Sequence, residues 1–268
     1  MKKAKKILIY TAGAMMGLYL LAMCHLYYNQ EEALFHPEVL AKDYVFPFKS
    51  NFEEISIPVD KNVQLSGVLF KAKNPKGLIF YLHGNGGSVN GRGNDADVYT
   101  TCGYDLFVLD YRGYGKSGGH IESEAQVNSD MQKAYNFMLK RYKASDIVVA
   151  GYSIGTGPAT ILAADNHPKM LILQAPYYSL TRLIDEKIPI IPDFIKRYTF
   201  KTCNVIGRVK SPIYLFHGLK DRLIPYEHSV LLKKEFSPKA HLVLLHGAGH
   251  NKMNQNLQFI ADIKKVLQ

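Results

Sequence analysis

The stretch Ile147-Val148-Val149-Ala150-Gly151-Tyr152-Ser153-Ile154-Gly155 decides how this chain is read. Its first four residues form a continuous apolar run, as in a strand buried on both faces. The last five match Gly-x-Ser-x-Gly, and a helix begins in the segment that follows. A strand, a sharp turn and a helix are the context this motif needs. The turn exposes the serine oxygen at the C-terminal end of a sheet, and the flanking glycines have no side chains to collide with neighbours. The helix start adds a favourable dipole for developing negative charge. Ser153 is the candidate nucleophile; a plain helix cap is the bland alternative. Two other Gly-rich readings fail. Gly155 and Gly157 begin a dinucleotide fingerprint, but Thr160 stands at its third glycine. Gly115-Lys116-Ser117 ends like a phosphate loop, but Asp110 stands at its first glycine.

Outward from this stretch, further strands are expected at Gln64–Ala72, Gly77–His83, Asp105–Asp110, Lys169–Gln174, Ile213–His217 and His241–His246, beside Asp146–Gly151 itself. Helical segments separate them. Ser123 to Gln126 has the form of a capping box, and Val127, Met131, Ala134 and Met138 continue it as an apolar face. From Asn254 on, Leu257, Ile260 and Val266 make a rough helical stripe. Strands alternating with helices imply a doubly wound, mostly parallel α/β sheet.

A serine hydroxyl needs a base, and the base needs an orienting partner. For a nucleophile on such a turn they follow in the order acid, then histidine. Asp221 comes just after the strand Ile213–Phe216 and is the candidate acid; Glu227 and Asp193 lie farther from a strand end. His250 follows the last strand in Gly247-Ala248-Gly249-His250-Asn251 and is the candidate base. His246 ends that strand itself and fits packing or capping better. The expected oxyanion hole uses the backbone N–H of Ile154 and that of Asn85, in the loop His83-Gly84-Asn85-Gly86-Gly87. That loop also reads as a tight strand-to-helix turn, and both can hold.

The chain has 268 residues, 47% of them hydrophobic, enough to bury one large core. Its formal charge of +10 includes Lys2, Lys3, Lys5 and Lys6. No dense basic cluster with interleaved aromatics follows, so nucleic-acid binding is not expected. Cys24, Cys102 and Cys203 show no metal-ligand spacing, and no metal or cofactor is expected. Cys102 and Cys203 fit ordinary buried thiols, although the sequence leaves a pairing open.

Ile7 to Tyr28 contains no Asp, Glu, Lys or Arg and is long enough to cross a bilayer as a helix. The four lysines before it should stay cytoplasmic, which puts the remainder on the non-cytoplasmic side. An uncleaved signal anchor over 1–28 is the first reading. A lipoprotein, with Leu21-Ala22-Met23-Cys24 as an imperfect lipobox, and a cleaved secretory signal are the alternatives, and a buried helix of a soluble domain, which explains the four lysines poorly, is the bland one. A linker at 29–50 and a catalytic domain at 51–268 complete the division.

Together these motifs resemble the α/β-hydrolase-domain family, and in particular its branch of protein depalmitoylases and lipid hydrolases. The resemblance is carried by His83 to Gly87, Asp110-Tyr111-Arg112-Gly113-Tyr114-Gly115-Lys116-Ser117-Gly118, Gly151 to Pro158, His217 to Asp221 and Gly247 to Asn251. It implies the α/β-hydrolase fold with a small cap, a triad of Ser153, Asp221 and His250, and a structural part for Asp110 and Arg112. The cap falls at about 176–211. Within it Ile188–Ile195 is apolar and Pro-rich, fit to line an acyl pocket, to touch a membrane or to pack as a helix on the sheet. The chain departs from the depalmitoylase branch in lacking an N-terminal Cys cluster. The expected activity is hydrolysis of carboxylic esters or thioesters of acyl chains, on a small-molecule or lipid substrate. A peptidase of the same fold and a catalytically silent binding protein are the alternatives.

Overall fold

The computed structural model describes residues 2–236 and 238–268; Met1, at the start of the expected anchor, lies outside the described residues. The strands are β1 (Phe52–Asp60), β2 (Val63–Phe70), β3 (Leu78–Leu82), β4 (Asp105–Leu109), β5 (Ile147–Tyr152), β6 (Met170–Gln174), β7 (Ile213–Gly218) and β8 (Ala240–Leu245). They form one sheet in the order β8-β7-β6-β5-β3-β4-β2-β1. β3 to β8 run parallel; β2 is antiparallel to β4 and to β1.

The helices are α1 (Lys2–Tyr28), α2 (Gln30–Leu34), α3 (Ala96–Thr100), α4 (Glu124–Met138), α5 (Thr156–Asn166), α6 (Leu180–Lys187), α7 (Thr202–Ile206), α8 (Glu227–Glu235) and α9 (Leu257–Val266). The central strands alternate between two cores. Leu78, Phe80 and Leu82 pack with Met131 and Ala134 of α4 and Ala159 and Leu162 of α5. Ile79 and Tyr81 face the other way, toward Tyr99 of α3 and Phe259 and Ile263 of α9. This two-sided burial is why the strands read as unbroken apolar runs.

The strand order reverses at β3, which has β4 on one side and β5 on the other. Open α/β sheets bind ligands in the crevice at such a switch point. The loop after β3 carries His83 to Gly87, and the turn after β5 carries Ser153, so both meet there.

β1 was not among the expected strands. It alternates buried Ile55, Ile57 and Val59 with exposed Glu54, Ser56, Pro58 and Asp60. Charge and proline on this outer strand discourage a further strand from pairing. The face of α9 also differs from expectation. Leu257 is exposed, and Phe259 and Ile263, one turn apart, carry the packing instead. Residues 29–50 contain α2 and lay Phe35 and Phe46 into the two cores. The three cysteines are free, with Cys102 and Cys203 half-buried.

Arg112 makes a bidentate pair with Asp130 of α4, at 2.6 Å from Nε and 3.0 Å from Nη2. Both residues are buried. Arg112→Ala would strand the Asp130 carboxylate without its partner, at a cost of about 3–5 kcal/mol. The expected result is a Tm lower by on the order of 10 °C in thermal denaturation. A change within about 2 °C would show the pair to be structurally idle.

α1 is long and apolar enough to cross a membrane, by length and composition, and none of its side chains is buried in the rest of the chain.

Candidate active site

Ser153 sits at φ 54°, the left-handed region that non-glycine residues rarely occupy. The neighbouring backbone enforces this turn. A Cβ on Gly155 would lie 2.3 Å from the Leu82 carbonyl oxygen, and one on Gly151 would lie 2.6 Å from the Gly155 carbonyl oxygen. Glycine at both places lets the turn pass directly beneath the end of β3. Strain of this kind is found where structure holds a functional group in a required pose.

His250 lies on the loop after β8. Its Nε2 is 3.0 Å from Ser153 Oγ, and its Nδ1 is 2.7 Å from Asp221 Oδ2. Nδ1–H donates to the carboxylate, which leaves Nε2 free to accept from the serine hydroxyl. The Tyr152 hydroxyl donates to the His250 backbone carbonyl and so ties this loop to the residue before Ser153.

Asp221 occupies the turn after β7. Its Oδ1 accepts from the backbone N–H groups of Leu223 and Ile224, each at 2.9 Å. Burial pushes its carboxyl pKa up, but hydrogen bonds from His217 and His250 overcome this and hold it well below the usual carboxylate range. The group stays ionised at any pH where a neutral histidine is available.

His217 was not singled out for a role by the sequence. It is fully buried at the end of β7. Its Nε2 lies 2.9 Å from the Ile224 carbonyl and 3.4 Å from Asp221 Oδ2, and its Nδ1 lies 2.6 Å from Ser229 Oγ of α8. It therefore backs Asp221 at Oδ2, the same oxygen that His250 faces. The signal available was its position four residues before Asp221, across one tight turn.

The rival residues lie elsewhere. His246 is exposed, with its backbone bonded to Gln258 and Asn256. Glu227 is exposed in the first turn of α8, and Asp193 pairs with Lys196 in the cap at 2.6 Å. Asp110 is fully buried, accepts from Val89 N at 2.8 Å and faces His83 Nε2 at 3.3 Å. It ties the turn after β4 to the loop that holds Asn85.

Asn85 and Ile154, the expected oxyanion donors, both border the space beside Ser153. Two cavities of unlike character meet there. One, of about 330 Å³, is walled by Leu180, Leu183, Ile184 and Ile188 of the cap region, by Leu34 of α2 and by Ile224. The other, of about 490 Å³, is bordered by Arg92, Asp95, Asn251, Lys252 and Asn254. The apolar Pro-rich segment contributes only Ile188 to the first. Phe194 is exposed and Ile195 is buried away from it, so of the roles open to this segment the acyl-pocket one falls to Ile188 alone. Residues near the N-terminus, Ala33 and Leu34, supply the wall instead.

Comparison with known proteins agrees with this architecture. A family profile described as serine aminopeptidase, S33 matches residues 73–201, which include Ser153. The chain is 28% identical over 203 residues to human alpha/beta hydrolase domain-containing protein 17B, covering 72% of this chain and 67% of that protein. It is equally 28% identical to protein 17C of Xenopus tropicalis, over 65% of this chain and 59% of that one. An esterase from Pyrococcus furiosus superposes with a TM-score of 0.71 at 18% identity, covering 87% of this chain and 96% of the esterase. An alpha-beta hydrolase from Vibrio vulnificus does so at 0.67 and 21%, with 81% of each chain covered. Sheet order, serine turn and the likeness to these solved structures together show the α/β-hydrolase fold, and the chain is similar to the alpha/beta hydrolase domain-containing proteins.

Proposed function

We propose that this chain is a membrane-anchored serine hydrolase that cleaves carboxylic esters or thioesters of acyl chains through an acyl-enzyme. The observation that carries this reading is the line Ser153–His250–Asp221, with 3.0 Å and 2.7 Å contacts, opening on an apolar cavity of about 330 Å³. His250 Nε2 takes the Ser153 proton as Oγ attacks the substrate carbonyl carbon. The developing oxyanion is held by the N–H groups of Ile154 and Asn85, and Asp221 stabilises the imidazolium. His250 returns the proton to the leaving oxygen or sulfur. Water, activated by the same histidine, then releases the acid. The acyl chain lies among Leu180, Leu183 and Ile184, and the leaving part occupies the polar cavity near Arg92 and Lys252. α1 anchors the chain, with the lysines at 2–6 on the cytoplasmic side and the catalytic domain on the other.

The matched family description also raises a peptidase reading. The apolar cavity argues against it, because among the described residues the charged group on its wall is Lys187, which repels the ammonium of a peptide N-terminus.

The test is a panel of p-nitrophenyl esters of rising chain length, a thioester and a lysophospholipid. Ile184→Trp fills the apolar cavity. It is expected to lower kcat/KM for a twelve-carbon ester about tenfold relative to a four-carbon one, at about 0.8 kcal/mol for each methylene displaced. Equal losses on both would mean the chain binds elsewhere, and absence of turnover on the whole panel would end the acyl-hydrolase reading.

A further inference from the structure

The cap carries an apolar edge that no other part of the chain covers among the described residues. Ile188, Ile190 and Phe194 are 48%, 64% and 85% exposed. This edge is fixed to α1. The Tyr19 hydroxyl donates to the Ile190 carbonyl at 2.8 Å. Below it α2, just past the end of α1, is latched to the cap. Gln30 Nε2 donates to the Ile195 carbonyl at 2.7 Å, and the Gln30 side-chain oxygen accepts from Arg197 N at 2.9 Å. Glu31 accepts from the Tyr198 hydroxyl at 2.6 Å and pairs with Arg197.

The level of the edge follows from helix geometry. A bilayer core of about 30 Å takes about 20 helical residues at 1.5 Å each. Starting after Lys6, the core ends near Leu26. Tyr19 then lies about 10 Å inside it, and the carbonyl it holds lies at a similar level. Interfacial elements bury their apolar faces about 5–10 Å deep. The acid in the segment, Asp193, is paired with Lys196, which lessens the cost of bringing it near lipid. Ile188 also lines the apolar cavity, whose wall includes Ala33 and Leu34 of α2, just past the end of α1.

We infer that Ile188, Ile190 and Phe194 form a bilayer-insertion surface, so that the mouth of the apolar cavity meets the leaflet in which α1 ends. Acyl substrates then reach Ser153 from that leaflet without crossing water. The inference rests on the anchored-hydrolase reading above, but its test needs no turnover.

The full chain, with Cys24, Cys102 and Cys203 replaced by Ser, is reconstituted in phosphatidylcholine vesicles. A nitrobenzoxadiazole probe is attached in turn to Phe194→Cys, Ile190→Cys, Leu18→Cys on α1, and Lys143→Cys at the opposite end of the sheet. Doxyl-labelled lipids are expected to quench the probes at 18, 190 and 194 at least about threefold more than the probe at 143. Quenching at 18 with none at 190 and 194 overturns the surface and leaves the anchor standing. Blue-shifted emission at 194 without lipid quenching means that protein, such as a second copy of the chain, covers the edge, and this also overturns it. No quenching at 18 removes the anchor and the surface together, and leaves the hydrolase reading to the ester panel.

Discussion

Ser153→Ala is expected to lower kcat by on the order of 10⁴–10⁶-fold, with KM changed by less than about threefold. The hydroxyl makes one hydrogen bond, to His250 Nε2. Removing it deletes the proposed attacking atom and little else. The backbone at φ 54° is no harder for alanine than for serine, so stability should move by less than about 0.5 kcal/mol. In the proposed binding mode the substrate lies against the cap and α2 walls, which the substitution does not touch. The oxyanion donors would remain, and with them the residual rate that binding and polarisation give without a nucleophile. A fluorophosphonate probe should label the native chain and leave the variant unlabelled. Labelling or turnover that survives would place the chemistry at another residue.

The parts legible in the sequence are those whose signal is local. Ile147 to Gly155 holds a strand, a turn and the proposed nucleophile within nine positions, and each part constrains the next. The parallel strands were visible because burial on both faces leaves no polar alternation to misread. β1 had its own signal, since Ile55, Ile57 and Val59 alternate with polar residues. Pro58 within the run hides it, although an edge strand tolerates proline. α9 was recognised as a helix, but on the wrong stripe. Leu257 lies at its first position, ahead of the turn that packs on β7 through Phe216 and Phe259.

What the sequence could not yield is what chain-distant segments build together. Ala33 and Leu34 wall the same cavity as Leu183 and Ile184, about 150 residues away, because the latch between Glu31 and Tyr198 brings them there. No period or spacing encodes that. Phe194 lies in the apolar Pro-rich segment, whose composition fits a pocket wall, a membrane contact or a packed helix equally well. Its exposure depends on which way the Pro-rich turn faces, and that is set by α1 and the latch.

Asp221→Asn should lower kcat by on the order of 10⁴-fold while leaving the fold intact. Asparagine is nearly isosteric, and its side-chain oxygen can keep accepting from Leu223 N and Ile224 N. Its amide then points N–H groups at the place where Oδ2 accepts from His250 Nδ1. A donor facing Nδ1 forces His250 into the tautomer with its proton on Nε2. That proton faces Ser153 Oγ, so the ring can no longer take the serine proton. His217 makes the clash harder to relieve. Its Nε2 faces both Asp221 Oδ2 and the Ile224 carbonyl. If it turns into an acceptor for the new amide, that carbonyl loses its donor. The charge matters as well as the tautomer. The Asp221 carboxyl is held below its ordinary value of about 3.9, so the stability it lends is present above that pH and is lost as pH falls through the lowered folded value. The wild-type chain therefore keeps this contribution throughout the neutral and mildly acid range. Asp221→Asn should lose it at every pH above about 4, which flattens the acid limb of the stability profile. Two measurements check the argument: burst kinetics with an activated ester, and Tm followed from pH 3 to pH 8. A variant with near-normal turnover would show that His250 is oriented by other groups, and an unchanged acid limb would show that the depressed carboxyl is not coupled to folding.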